Sequence, residues 1–456
     1  MTTATASLHS INPATGETVG DVSVTNSADI PAIVAAARAA QPAWAAVTPA
    51  ERAEILKPAG QSLLDDAADL GELLTREMGK PLAEGVGEVE SCGTQLLGGV
   101  PDMVAAFAPE ELEDEKTATT LYYDPFGVVA AITPWNFPMM MPQWMVLPAL
   151  IAGNTVVLKP SEETPLIAQA YAEALMDALP GDVLQIIHGA DDQGRALVDA
   201  DVDLIAFTGS RQVGEKIMAA AAPGLKRIIL ELGSKDPLIV LEDADVDAAA
   251  LYAANNSFRN CGQVCVSTER IYVNRAIADA FIDKLIEASK EFKVGDGMDA
   301  GTEVGPMIHA AQKEHVMGQL DRAIKQGAKV VYGEHDLPGN FVAPTVLTGL
   351  THEMDIMTEE TFGPIACVCV VDSDDEAVAK ANDTMYGLGA SVFGAKEHAA
   401  AVARRLTAGM IGINKSVGGS KGSPWVGARK SGYSYHKGRM GDRQFCQVRV
   451  MSWAKG

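Results

Sequence analysis

Positive charge is scarce in this chain. Its 456 residues hold 36 Lys and Arg against 60 Asp and Glu, a formal net charge of −24. That average field repels a nucleic-acid phosphate backbone and an anionic membrane surface, so neither is an expected partner. A small anionic substrate is not excluded, because one local Arg or Lys outweighs a distant average. The six cysteines, Cys92, Cys261, Cys265, Cys367, Cys369 and Cys446, show no Cys-x-x-Cys spacing. They therefore suggest no structural zinc site, no other metal centre and no disulfide framework. Cys367 and Cys369 lie in the apolar alternation PIACVCVV and read as strand core. No apolar run approaches the ~18 uninterrupted residues of a spanning helix, and MTTATASLHS has no basic region before a long apolar stretch. The expectation is a soluble cytoplasmic chain. The GxGxxG dinucleotide fingerprint is missing too.

What is present is apolar and periodic. At 47% hydrophobic and 21% charged the chain is too apolar for disorder, and its length predicts two or three domains. From Val128 onward, strand and helix alternate. VVAAI, TVVLKP, DVLQIIHG, VDLIAFTGS and KRIILELG read as strands. Their uninterrupted apolar character marks a parallel sheet covered on both faces, an α/β doubly wound domain. Such sheets bind ligands beyond the C-terminal ends of their strands. The second half repeats the style with PLIVLEDADV, STERIYV, AKVVYG, TVLTGL, IACVCVV, LGASVFG and MIGIN, which predicts a second α/β domain.

The first hundred residues read as a turn-rich lead-in followed by helices. Asp29 is a candidate N-cap with Pro31 in the first turn, and Thr48 with Glu51 has the form of a capping box. AEILKPAGQSLLDDAADLGELLTREMG reads as one helical run closed by Gly79 and Pro81, with a further helix over 82–107. At 108 the texture turns acidic and then rich in Thr and Tyr. Two short strands are expected around a turn at Asp124-Pro125-Phe126-Gly127, a hairpin whose free edges can pair with another subunit or a distant part of the chain. The tail DRQFCQVRVMSW alternates at Phe445, Val448 and Val450 and reads as an edge strand.

The stretch from Glu231 to Cys265 concentrates the candidate chemistry. A free thiol is about 1.5 units too weakly acidic to be mostly thiolate at neutral pH, so a nucleophilic cysteine needs a base or a positive field. Glu231 is a candidate base for Cys265. Equally, Glu231 can be a solvated face residue and Cys265 a buried small hydrophobe. Three strand ends add to this. ITPWNFP carries Asn136 in an apolar setting; its amide can point at an oxyanion or simply tie a turn. In LKPSE, Lys159 and Glu162 can meet ribose hydroxyls or form a surface salt bridge. In FTGSRQVG, Gly209, Ser210 and Gly214 stand at a strand-to-helix junction that suits a phosphate, or form an ordinary turn.

Taken together, these elements resemble the aldehyde dehydrogenase superfamily along essentially the whole chain. The motifs that carry the resemblance are Glu231-Leu232-Gly233-Ser234-Lys235, Phe258 to Cys265, Pro134 to Pro138, Glu359-Glu360-Thr361-Phe362-Gly363-Pro364, and Asn382 to Leu388, in family order. The resemblance implies an NAD(P)-binding domain at 1–107 and 127–238, a catalytic domain at 239–439, and a small β-hairpin oligomerisation element at 108–126 and 440–456. It makes Cys265, not Cys261, the nucleophile. Asn136 and the Cys265 amide become the oxyanion hole, and Glu231 activates the deacylating water. Thr133, Trp135, Lys159, Glu162, Gly209, Ser210, Glu360 and Phe362 are the implied cofactor contacts. The family's cofactor domain lacks the GxGxxG fingerprint, in agreement with its absence here.

The implied reaction is NAD(P)-dependent oxidation of an aldehyde to the acid, through a cysteine thiohemiacetal and thioester. Glu162 favours NAD, since a carboxylate near the 2′-position repels an added phosphate; NADP use stays open. The length and the Gln-Val-Cys texture are similar to the short bacterial succinate-semialdehyde dehydrogenase branch, with Arg259, Ser267 and Arg429 as candidate clamps for a distal carboxylate. Other aliphatic or aromatic aldehydes, a thiol esterase, a CoA-acylating enzyme and a non-catalytic scaffold are the alternatives. A homodimer or homotetramer is implied. Three departures from the family pattern stand out: Ser234 for a second glycine, Arg211 after Ser210, and Pro424-Trp425-Val426-Gly427 near the substrate entrance.

Overall fold

A computed structural model describes residues 6–333 and 337–455. Part of the N-terminal stretch on which the absence of a basic leader rests, residues 1–5, lies outside them. The first large sheet runs in the order Gly432–Tyr433, Arg227–Leu232, Leu204–Gly209, Val128–Ile132, Thr155–Lys159, Leu184–Ile186. Its strands are parallel except the late addition Gly432–Tyr433, which lies antiparallel to Arg227–Leu232. Val129 and Ala131 enter one core, whereas Val128, Ala130 and Ile132 enter another. Alternate side chains of one apolar strand thus feed two cores, which is why the sequence shows a continuous run instead of alternation.

The second sheet has seven strands, in the order Lys329–Tyr332, Thr345–Thr348, Ile365–Val371, Thr268–Asn274, Asp236–Val240, Gly389–Phe393, Met410–Ile413. Only Lys329–Tyr332 is antiparallel to its neighbour. The chain passes from the first sheet to the second between Leu232 and Asp236. Cys367 is fully buried in its strand, and Cys369 nearly so.

Three local expectations need correction. The hairpin does not turn at Asp124–Gly127. Its strands are Glu110–Glu113 and Thr117–Pro125, and the turn is tied by Asp114 Oδ1, which accepts from the Lys116 and Thr117 amides at 2.8 Å each. An aspartate bonding its own loop two and three residues on outcompetes the Pro-Gly signal downstream. Asp124–Gly127 instead leads into Val128–Ile132, with the Gly127 N–H on Asn154 Oδ1 at 3.0 Å. The long helical run is two helices, Pro49–Asp65 and Ala67–Met78; the bend at Asp66 lets Leu56, Leu63 and Leu74 share one core. The 82–107 helix is Leu82–Thr94 and Val100–Ala106 joined by a wide π-type turn at Gln95–Gly99. Pro101 lacks an N–H and crowds the carbonyl four residues back, and Gly98-Gly99 yields to it.

The capping box forms: the Glu51 N–H meets Thr48 Oγ1 at 3.3 Å, and the Thr48 N–H meets Glu51 Oε2 at 3.0 Å. Asp29 precedes helix Ile30–Ala46 without a side-chain cap; Asn26 Oδ1 takes the Ala28 N–H one turn earlier. The tail strand Cys446–Ala454 pairs with Thr117–Pro125 along its whole length and forms an edge of the three-stranded sheet.

Candidate active site

Glu231 lies one residue before the end of a first-sheet strand, opposite Gly432. It is only 4% exposed, which removes the solvated-face reading. Its carboxyl accepts the Trp425 indole N–H, Nε1 to Oε1 3.3 Å, and the Cys265 thiol. Burial pushes its pKa up to about 7, against the opposing pull of those two hydrogen bonds.

Cys265 follows helix Val246–Phe258 through a loop of unusual backbone: Asn260, Cys261 and Gly262 have φ of +51°, +56° and +70°. A Cβ on Gly262 would lie 2.2 Å from the Gly363 carbonyl, so only glycine allows this close approach. The strain of two left-handed non-glycines is held by side chains. Asn260 Nδ2 donates to Asn136 O at 3.1 Å, and Gln263 Oε1 accepts the Ile308 N–H at 2.9 Å. Cys265 keeps part of its surface open to a cavity of about 290 Å³ that Asn136, Glu231, Glu360 and Phe362 also line. Burial pushes its thiol well above the ordinary range, and the Glu231 charge pushes the same way. The sulfur is thus stored as a neutral thiol whose proton already faces an acceptor. Cys261 is fully buried, its Sγ 3.4 Å from Met307 Sδ, and does not line this cavity.

The Asn136 side chain ties its own turn. Nδ2 donates to Gln263 O at 2.9 Å, which ties the turn, and the residue still borders the Cys265 cavity. A primary amide has two hydrogens, so one remains for a ligand. Sequence reasoning missed what fixes this turn. Lys80 Nζ donates to Asn136 O at 2.9 Å and pairs with Glu88 at 2.6 Å, both side chains buried. Glu88 Oε1 in turn accepts the Met139 and Met140 amides at 3.0 Å. A lone lysine after the helix-closing Gly79 carries no sequence signal of that role.

A second cleft of about 610 Å³ adjoins the first and shares Trp135, Gly209 and Ser210 with it. Thr133, Lys159 and Glu162 line it. Lys159 is buried and lies 3.2 Å from Glu162 Oε2, whose carboxylate sits at the mouth. Ser210 Oγ caps helix Arg211–Ala221 by accepting the Val213 N–H at 3.4 Å. The hydroxyls of Thr133 and Thr208, both on this cleft, are buried with no protein partner among the described residues. Orphaned hydroxyls, a helix N-terminus and a carboxylate at the rim fit the polar groups of a dinucleotide. Arg211 pairs with Glu215 at 2.7 Å and lines neither cavity, in line with a helix-surface role.

Glu360 and Phe362 approach from the second sheet. Glu360 Oε1 accepts the Ser234 N–H at 2.7 Å, and a Cβ on Gly233 would meet its other oxygen at 2.2 Å. Burial, with the Glu269 charge beside it, pushes Glu360 up to about 8. Phe362, at φ +50°, meets Trp135 edge-on, centroids 5.6 Å apart. Glu269 fixes this loop by accepting the Thr361 and Phe362 amides at 2.7 and 2.9 Å, itself paired with buried Lys235 at 2.6 Å.

Residues 1–451 match the aldehyde dehydrogenase family. The chain belongs to that family. It is 36% identical to the chloroplastic betaine aldehyde dehydrogenase of Beta vulgaris, over 97% of this chain and 92% of that protein. It is 37% identical to a probable succinate-semialdehyde dehydrogenase [NADP(+)] of Sinorhizobium fredii, over 96% of this chain and 91% of that one. The solved structure of an NAD-dependent aldehyde dehydrogenase from Sinorhizobium meliloti superposes with a TM-score of 0.95 at 35% identity, covering 98% of this chain and 92% of that one. This aldehyde dehydrogenase is therefore an NAD(P)-dependent oxidoreductase that oxidises an aldehyde through a cysteine.

The candidate carboxylate clamps do not line the site, although Arg259 packs on Phe137, which does. Arg259 lies 3.6 Å from Glu84 and stacks on Phe137 at 5.6 Å; Ser267 Oγ donates to Asn256 O at 3.0 Å; Arg429 donates to the Asn382 carbonyl at 2.6 Å. None of them lines either cavity, because each is already engaged by its own neighbourhood. Ser234 is buried; its hydroxyl donates to Asp236 and accepts the Leu388 N–H at 3.3 Å, so the extra side chain is absorbed behind Glu231. Among the described residues no cluster of three or more His, Cys, Asp or Glu could hold a metal, and no helix is long and apolar enough to cross a membrane.

Proposed function

We propose that the enzyme oxidises succinate semialdehyde to succinate and prefers NAD. The observation that carries the acid-forming chemistry is Glu231, which shares a hydrogen bond with Cys265 and has its pKa pushed up to about 7. In this reading Glu231 first receives the thiol proton, and the Cys265 sulfur attacks the aldehyde carbon. The new alkoxide is held by the free hydrogen of the Asn136 amide and the Cys265 backbone N–H; losing one such donor typically costs about 3 kcal/mol of transition-state stabilisation. A nicotinamide cofactor, when bound, supplies the hydride acceptor. Cys265 is left as a thioester, and Glu231, once its proton has escaped, takes a proton from the attacking water. A carboxyl so close to the sulfur favours hydrolysis over transfer to CoA.

Lys159, Glu162, Thr133 and the Ser210 helix end hold the adenosine half of the cofactor, with Glu360, Phe362 and Trp135 beside the nicotinamide half. Glu162 at the cleft mouth repels a 2′-phosphate. The substrate assignment is supported by the identity to the Sinorhizobium fredii protein. The test is an aldehyde panel followed by reduced-nicotinamide absorbance with each cofactor. Succinate semialdehyde with NAD should give the highest kcat/KM. A better neutral aliphatic aldehyde removes the substrate assignment, and about tenfold better use of NADP removes the cofactor one.

We also propose a homodimer or homotetramer built through the three-stranded sheet. Its edge strand Cys446–Ala454 exposes Val448, Val450, Met451 and Trp453, an apolar edge that a second copy can cover.

A further inference from the structure

A third cavity, of about 800 Å³, is lined by Trp425. The Trp425 ring lines the third cavity while its N–H reaches Glu231 in the first. Trp144 stands beside it, ring centroids 5.5 Å apart, on helix Met140–Ala152, which also carries Met141 into the catalytic cavity. Two indoles on one cavity ordinarily make a receptor for a cation.

Here that seat is filled by the chain itself. Lys437 Nζ lies 3.8 Å from the Trp144 ring centroid and 5.7 Å from that of Trp425. The strand Tyr435–His436, paired with Trp425–Val426, delivers it there, and its backbone is left-handed at φ +64°. Among the described residues the ammonium has no hydrogen-bond or ion-pair partner; Asp442 acts on it only at longer range. Burial lowers its pKa from the usual lysine value, so the cation is poorly solvated. The other cations on the cavity are spoken for: Lys421 pairs with Asp102 at 2.7 Å, and Arg439 with Glu110 at 2.5 Å. Asp442, the remaining carboxyl, is pushed up to about 7 by burial and only partly offsets Lys437 at neutral pH.

We propose that Lys437, mounted on Trp144 and Trp425, is the specificity-determining residue that receives the distal carboxylate of the aldehyde and repels aldehydes ending in a cation. This rests on the aldehyde-acid reading above. With its carbonyl at Cys265 and its tail turned past Trp425, a carboxylated aldehyde gives the ammonium the acceptor it lacks. An ammonium-terminated aldehyde meets an occupied aromatic seat and a like charge.

The test compares succinate semialdehyde, butyraldehyde and 4-aminobutyraldehyde on wild type, Lys437→Met and Lys437→Arg. Wild type should prefer the anion, then the neutral aldehyde, then the cation. In Lys437→Met the ratio of kcat/KM for succinate semialdehyde over butyraldehyde should fall about tenfold or more, mainly through KM, and Lys437→Arg should largely restore it. If wild type prefers the anion but Lys437→Met keeps that ratio within about twofold, the carboxylate is held elsewhere and only this inference is lost. If wild type prefers butyraldehyde or the amine, the aldehyde-acid reading itself goes. A wild-type measurement needs no variant to fold: succinate should protect Cys265 from alkylation better than butyrate or 4-aminobutyrate, and equal protection overturns the proposal.

Discussion

The indole N–H of Trp425 sits 3.3 Å from Glu231 Oε1, on the same carboxyl that takes the Cys265 thiol. One aromatic residue from a late strand thus bears on the proton affinity of the carboxyl proposed as the general base. Burial raises Glu231 to about 7, and the indole bond acts in the lowering direction. Removing that bond in Trp425→Phe should move the base pKa upward. A base works deprotonated, so its active fraction at pH 7 should fall and the acid limb of the kcat–pH profile should shift to higher pH. An acid limb that stays in place would show that the indole does not tune Glu231.

Glu231→Gln should separate the two halves of the reaction if deacylation depends on this carboxyl. The expected result is one burst of reduced nicotinamide per active site followed by very slow turnover, seen by stopped-flow absorbance. Cys265→Ala should abolish burst and turnover together, whereas Cys261→Ala, a change in a closed core position, should keep both. Equal loss of burst and turnover in Glu231→Gln would assign the carboxyl to thiol activation alone.

Lys80 and Glu88 form a buried pair at 2.6 Å beneath the Asn136 turn. Breaking such a pair from one side strands the other charge, a loss of roughly 3–5 kcal/mol. Lys80→Met should lower the denaturant midpoint by that scale and slow catalysis by loosening Asn136. Lys80→Met with Glu88→Leu should regain part of the stability without regaining the activity, since the Asn136 carbonyl stays unheld. Stability is read by urea unfolding and activity by kcat.

Glu162 reaches only Lys159 among the described residues, at 3.2 Å across the cofactor cleft. Glu162→Gln removes the charge that would face a 2′-phosphate and should improve kcat/KM with NADP by about tenfold while changing NAD use less. An unchanged ratio of the two cofactors would place the discrimination on another residue.

The sequence by itself determined the frame. Unbroken apolar runs such as Val128–Ile132 have to be covered on both faces, and the strand-helix rhythm then orders the parallel sheets. It also marked Glu231, Cys265, Asn136, Lys159 and Glu360 through motifs a few residues long. It could not place what lies far apart along the chain. Lys80 under Asn136, Glu269 beneath the Phe362 loop and Trp425 on Glu231 are joined only when distant stretches of the chain pack together. The same holds for Arg259, Ser267 and Arg429, whose residue types suit a carboxylate clamp but which line neither cavity of the site. Local spacing records which groups share a strand or a helix. Which distant cation faces a cavity without a hydrogen-bond or ion-pair partner, as Lys437 does among the described residues, is fixed by packing, because burial and partner distance exist only in the folded chain.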